Sequence, residues 1–170
     1  ISTNAGLWAY NLGDTIRFIY RRPFKIIVSG RIKHFISAFG EHVIAKEVEE
    51  AMSEAMKQTD AKVNEFTVAP QITPENDELP YHEWLVEFEK APTDLNAFID
   101  ILDKSLQRQN SYYFDLISGK ILQPLKITLI KIGGFREYMK GLGKLGGQNK
   151  VQRLSNDRVL ADGLKGHKVD

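Results

Sequence analysis

The sequence predicts an α+β fold: helices packed on one face of a small mixed β-sheet, preceded by a short β segment. Three observations carry that expectation. Apolar residues recur at helical spacing over residues 46–58 and again over 95–106. Residues 81–90 alternate instead, with Trp84, Val86 and Phe88 on one side and Glu83, Glu87 and Glu89 on the other. From about residue 31 the order reads hairpin, helix, strand, strand, helix, strand, short helix. The strands can pair antiparallel, and no long parallel crossover is read between them.

Taken in order, Leu7 to Tyr10, Asp14 to Tyr20 and Lys25 to Ser29 read as three short strands, parted by turn signals at Gly13 and at Arg21-Arg22-Pro23. Gly30 and Arg31 open a loop that holds Lys33 and His34. Gly40 interrupts the apolar patches Phe35-Ile36 and Val43-Ile44, which predicts a tight hairpin. Lys46 to Gln58 is a helix, with Val48, Ala51, Met52, Ala55 and Met56 on its apolar face. Its acids gather toward the N-terminus, where they favour the helix dipole. Lys62 to Ala69 is a strand, and the proline-bounded polar run Pro70 to Pro80 is a loop.

After the alternating strand 81–90, Thr93 is placed to cap a helix whose stripe is Leu95, Phe98, Ile99, Leu102 and Leu106. Ser111 to Ser118 is a short helix. Leu125, Ile127 and Leu129 alternate with Lys126 and Thr128 in a last strand. Gly134 to Lys140 is a short helix ended by glycines 141, 143, 146 and 147. From Gln148 the chain reads as polar coil, apart from spaced Val151, Leu154, Val159 and Leu160.

The composition excludes several classes. At 170 residues, 42% hydrophobic and 26% charged, the chain is ordinary for one globular domain, or one domain with a fragment of another. A net charge of +1 offers no bulk attraction to nucleic acid or an anionic membrane. No apolar run approaches the roughly 18 residues of a membrane span. The lack of cysteine removes disulfides, thiolate zinc sites and a cysteine nucleophile together, and suits a cytoplasmic location. No metal site is expected from His34, His42, His82 and His167, whose spacing is not that of ligands. The start, Ile1-Ser2-Thr3-Asn4-Ala5-Gly6-Leu7-Trp8, reads like the middle of a domain, so a longer parent protein is expected.

Some motifs point nowhere. Gly141-Leu142-Gly143-Lys144-Leu145-Gly146 matches G-x-G-x-x-G, but a dinucleotide fingerprint needs a strand before it and a helix after it. Here a short helix precedes and polar coil follows. No nucleophile elbow surrounds Ser37. Met52, Met56, Trp84 and Phe88 read as core.

Other motifs point together. Tyr10-Asn11-Leu12-Gly13-Asp14-Thr15-Ile16-Arg17-Phe18 resembles the Y-x-x-G-D strand of adenylate-forming enzymes. Gly30-Arg31-Ile32-Lys33-His34-Phe35-Ile36, followed by Phe39-Gly40-Glu41 and Val48-Glu49-Glu50-Ala51, resembles their hinge. Gly143 to Leu154, running Gly-Lys-Leu-Gly-Gly-Gln-Asn-Lys-Val-Gln-Arg-Leu, resembles their closing lysine motif. With Ser155-Asn156-Asp157-Arg158 the pattern resembles the GH3 auxin-responsive promoter family, in its bacterial branch: acyl acid–amido synthetases of the luciferase-like adenylating superfamily. Gly146-Gly147-Gln148 departs from the plant branch in its glycine content.

The resemblance implies a two-step ligase. A carboxylic acid attacks ATP to give an acyl-adenylate and pyrophosphate, and an amine or amino acid then takes the acyl group. Residues 1–30 would end a large N-terminal domain, and 31–170 would form a C-terminal lid that swings over it. ATP and Mg2+ would be bound mainly by the preceding domain. Lys150 would be the catalytic lysine, a mobile point charge set beyond glycines that permit close approach. Asp14 would accept hydrogen bonds from both ribose hydroxyls, Arg31 would reach the ribose or phosphate, and Tyr10 would belong to the same nucleotide strand. Lys33 would be the hinge residue. The plain readings of these positions are a turn aspartate at Asp14, a surface ion pair at Arg31 and a solvated loop lysine at Lys33. Two other functions fit the residues: a thioester-forming acyl-CoA ligase relative, and an α+β binding module without catalysis.

Overall fold

A computed structural model describes residues 2–6, 8–9, 14–31, 35–75, 77–144 and 150–169, and only the backbone of residues 14, 15 and 29–31. Two strands open it, β1 (Asp14–Arg21) and β2 (Phe24–Arg31), paired antiparallel. Of the predicted strand 7–10, Leu7 and Tyr10 lie outside the described residues. Trp8 and Ala9 are irregular, and Trp8 is exposed.

The expected hairpin follows, with β3 (Phe35–Ile36) against β4 (Val43–Ile44). Gly40 has φ +91° between them, a conformation side chains disfavour, which is why glycine interrupts the two apolar patches. Helix α1 (Ala45–Thr59) buries Val48, Ala51, Met52 and Ala55, the face its periodicity gives. Glu47, in its first turn, accepts a hydrogen bond from the Ile44 N–H at 3.0 Å.

The central sheet has the order β5 (Lys62–Gln71), β6 (Tyr81–Lys90), β7 (Lys126–Ile130). Strand β5 runs two residues further than predicted, through Pro70, which pairs with His82. On that outer edge the Val68 N–H bonds Arg153, so the ring nitrogen of Pro70, two residues on, faces the same way and costs the β5–β6 ladder nothing.

Strand β7 lies parallel to β6, which corrects the expectation of no parallel crossover. The crossover is made by α2 (Leu95–Gln109) and α3 (Ser111–Ser118), which return the chain to the same end of the sheet. Asp94, not Thr93, caps α2, accepting from the Ala97 N–H at 3.1 Å.

One face of the sheet presents Phe66, Val68, Trp84, Val86 and Phe88 to α1, α2 and α3. Phe66 and Trp84 stack with ring centroids 5.7 Å apart, and Phe98, Leu102, Leu106 and Tyr113 close over them. The opposite face is covered as well, which corrects the one-face layout. Leu85 is fully buried there with Ala69, Ile130, Phe135, Ala161 and Leu164, under α4 (Gly134–Gly141) and α5 (Val159–Gly163). Alternation marks Glu83 and Glu87 as outward-facing, yet both are buried, because this second, smaller layer lies over them.

The polar coil expected after Gln148 is therefore a structured tail. It holds α5 and a 3-10 turn at Lys165–His167, and it buries Leu154, Ala161 and Leu164. Gly163 makes that possible: a Cβ there would sit 2.4 Å from the Tyr138 ring. Among the described residues no helix is long and apolar enough to cross a membrane.

Candidate functional site

Lys150 stands between two anchored stems. The first is α4. Glu87 projects from β6 to the start of that helix, where its carboxylate accepts from the Gly133 N–H at 3.0 Å and the Phe135 N–H at 3.3 Å. The Asn64 amide donates to the same carboxylate at 3.2 Å. A negative group at this end suits the helix dipole as well as satisfying amides that have no helical partner. Gly134 lets the turn press on the sheet, since a Cβ there would meet the Ile130 side chain at 2.6 Å.

The second stem is residues 151–155, laid along the outer edge of β5. The Val68 N–H donates to the Arg153 carbonyl at 2.9 Å, and the Ser155 N–H donates to the Val68 carbonyl at 3.0 Å. The Thr67 hydroxyl donates to the Gln152 carbonyl at 2.7 Å. Arg153 closes the join. Its guanidinium lies over the Phe66 ring, 4.6 Å from the centroid, donates to the Phe66 carbonyl at 3.1 Å, and pairs with Glu65. Its Nε is 3.5 Å from Glu49 on α1.

Between the stems runs a groove of about 760 Å³, with an apolar floor of Phe135, Met139 and Val151. Lys150 is exposed on its rim and also lines a neighbouring hollow of about 420 Å³ beside Tyr138, Leu142 and Leu160. The groove's carboxylates are engaged: Glu65 and Glu49 by Arg153, Glu87 by amides. Lys150, Lys144 and Arg136 make no ion pair among the described residues, and all three line the groove. The charge left for a ligand there is positive, and an anion on an apolar body is what such a surface receives.

The other expected residues fall as follows. Asp14 and Arg31 are backbone partners at the open end of the β1–β2 hairpin, so two residues 17 apart in the chain are brought side by side. Tyr10 and Lys33 lie outside the described residues, as do Gly146, Gly147 and Gln148. The G-x-G-x-x-G run begins at the end of α4. Met52, Trp84 and Phe88 are core, and Met56 packs against it.

A buried polar pair escaped the sequence reading. Glu41 and His82 are both fully buried, with Glu41 Oε1 2.9 Å from His82 Nε2, and Glu41 Oε2 accepts from the Phe39 N–H at 2.8 Å. Burial alone would raise the Glu41 pKa. The hydrogen bond and charge of His82, with the backbone bonds, outweigh it and hold the carboxyl below its ordinary range. The pair ties the turn between β3 and β4 to β6. Forty-one residues separate its members, so no local pattern announces it. Lys144 and Arg153 stand within the closing motif, but the motif alone gives them no task, and Arg136 lies outside it. Only the fold shows what they share with Lys150.

Among the described residues no three His, Asp or Glu side chains converge in a way that could hold a metal ion.

Residues 46–159 match the sequence model of the GH3 family C-terminal domain. The chain belongs to the GH3 family. No curated protein matches it. Among solved structures it is similar to the GH3.15 acyl acid amido synthetase, with 20% identity and a TM-score of 0.75 over 99% of this chain and 33% of that one. It is also similar to AtGH3.15 acyl acid amido synthetase in complex with 2,4-DB, with 19% identity and a TM-score of 0.70 over 99% of this chain and 32% of that one. These likenesses show a shared fold. The chain spans about a third of the length of the structures it matches.

Proposed function

We propose that this chain is the C-terminal lid of an ATP-dependent acyl acid amido synthetase and that Lys150 is its catalytic residue. The supporting observation is the GH3 C-terminal match over residues 46–159, which contains a lysine that makes no ion pair among the described residues and stands on the rim of a positively charged groove. In the first step a carboxylate oxygen bonds to the α-phosphorus of ATP as the bond to pyrophosphate breaks. Negative charge gathers on the non-bridging oxygens and on the attacking group. A lysine brought between them stabilises that charge without forming a bond of its own. In the second step an amine or amino acid displaces AMP from the acyl carbon, and Lys150 has no further part there. Asp14 and Tyr10 belong to the nucleotide side of the site in this reading, with Arg31 on the ribose or phosphate and Lys33 as hinge. Residues 1–30 then belong to the preceding domain and 31–170 to the lid. The described acids offer Mg2+ no cluster.

The test is pyrophosphate release by the full-length protein against panels of acids and amines, followed by ATP–pyrophosphate exchange with the best acid. Lys150→Ala is expected to slow exchange about 10²- to 10³-fold, the usual loss when one preorganised charge is removed. Its thermal midpoint should move little, because the side chain is exposed. Exchange within about threefold of wild type, less than 1 kcal/mol, overturns the assignment.

A further inference from the structure

Lys150 works, in the reading above, only if its amine arrives at a defined point. Its side chain is long and makes no ion pair among the described residues, so its reach is set by the backbone that carries it. That backbone rejoins the folded body over residues 152–155, with Arg153 three residues and at most about 11 Å of chain away. Within the stem, the Arg153 side chain contacts the body at several points: the Phe66 ring, the Phe66 carbonyl, Glu65 and Glu49. A planar guanidinium can stack and pair at once, which an ammonium cannot. Gln152 and Leu154 on either side are held through the Thr67 hydroxyl and the β-bridge to Val68, so the clamp is built into an edge of the sheet and not into a loose turn.

We propose that Arg153 is a positioning residue for Lys150. Clamped on Phe66 and Glu65, it fixes the C-terminal stem of the lysine loop, so that the amine presented at the groove rim meets the charge forming on the substrate. The inference rests on the catalytic reading of Lys150. Misplacing a charge by about 1 Å can cost two orders of magnitude in rate.

The test is a double-mutant cycle in the full-length protein, read by exchange kinetics with the best acid of the panel. Arg153→Met keeps the side chain's apolar stem and removes the fork. It should lower kcat about tenfold or more, leave the KM values for ATP and acid within about twofold, and be rescued poorly by Arg153→Lys. Lys150→Ala combined with Arg153→Met should be no slower than Lys150→Ala alone, because Arg153 has nothing to position once the amine is gone. Glu65→Gln weakens the same clamp from outside the loop and should give the same pattern if Arg153→Met folds poorly. Multiplicative losses in the double variant would mean that Arg153 acts independently of Lys150, or merely supports folding, and would overturn the proposal. So would a kcat for Arg153→Met within about twofold of wild type. A near-normal rate for Lys150→Ala itself would instead remove the catalytic reading on which the proposal stands.

Discussion

On one face of the β5–β6–β7 sheet, α1, α2 and α3 enclose Trp84, Phe66, Val86, Phe98 and Leu102 in a continuous apolar core. On the other, α4 and α5 cover a smaller cluster around Leu85, and much of the attachment is polar: Glu87 to the start of α4, Glu83 to Arg158, Arg158 to the Pro70 carbonyl. Apolar burial is roughly additive in area and indifferent to direction, whereas a carboxylate on two amides fixes where a helix begins. The first face supplies cohesion. The second supplies placement, and it is the second that carries the groove and its lysine.

The largest effect should come from Trp84→Ala. The side chain is fully buried in the larger core, and truncation should cost about 3–5 kcal/mol, read as a urea midpoint. A loss below about 1 kcal/mol would break the assignment of cohesion to that face. Glu87→Ala should be smaller and local. It leaves the Gly133 and Phe135 amides without their acceptor, at about 1–3 kcal/mol. Hydrogen exchange should quicken at those two amides and leave α1 and α2 as they were; uniform quickening would show that the two faces are not separable.

The smallest effect is with pH. Burial raises the Glu83 pKa, but the Thr128 hydroxyl, Arg158 and Lys168 outweigh it and hold the carboxyl below the ordinary 4.5. The unfolded chain then binds the proton more readily than the folded one. The stability that Glu83 contributes is full above 4.5 and is lost as pH falls through the lower, folded value. Glu83→Gln should therefore make the fall in urea midpoint between about pH 6 and pH 3.5 shallower than in wild type. An unchanged slope would mean that Glu83 is not held as its partners imply.

These two faces were unequally legible in the sequence. The larger one could be read because α1 and α2 each repeat their apolar stripe over several turns and β6 alternates over ten residues. The smaller one could be read only in part: α4 is legible from Gly134 to Lys140, whereas α5 has five residues, too few for a period to show. Glu83 and Glu87 carry the residue type of a solvent face, and only the layer folded over them reveals that they are buried. The parallel placement of β7 was hidden for a related reason: alternation gives a strand's faces and says nothing of its direction. At the candidate site, the motif singles out Lys150 but not the groove that it lines, because Glu49, Glu65 and Phe135 meet only after folding.

The tail that the composition presents as coil has a second consequence. A three-stranded sheet has two free edges, and an unpaired edge is a template on which another chain can add a strand. Residues 153–155 occupy the outer edge of β5. At the other side Lys168 bridges Ile130, and the Val169 N–H bonds the Leu129 carbonyl on β7. One segment, folded back along both margins, thus takes up edge positions on which another strand would have to pair. Its stitches begin beyond Lys150, at the Gln152 carbonyl.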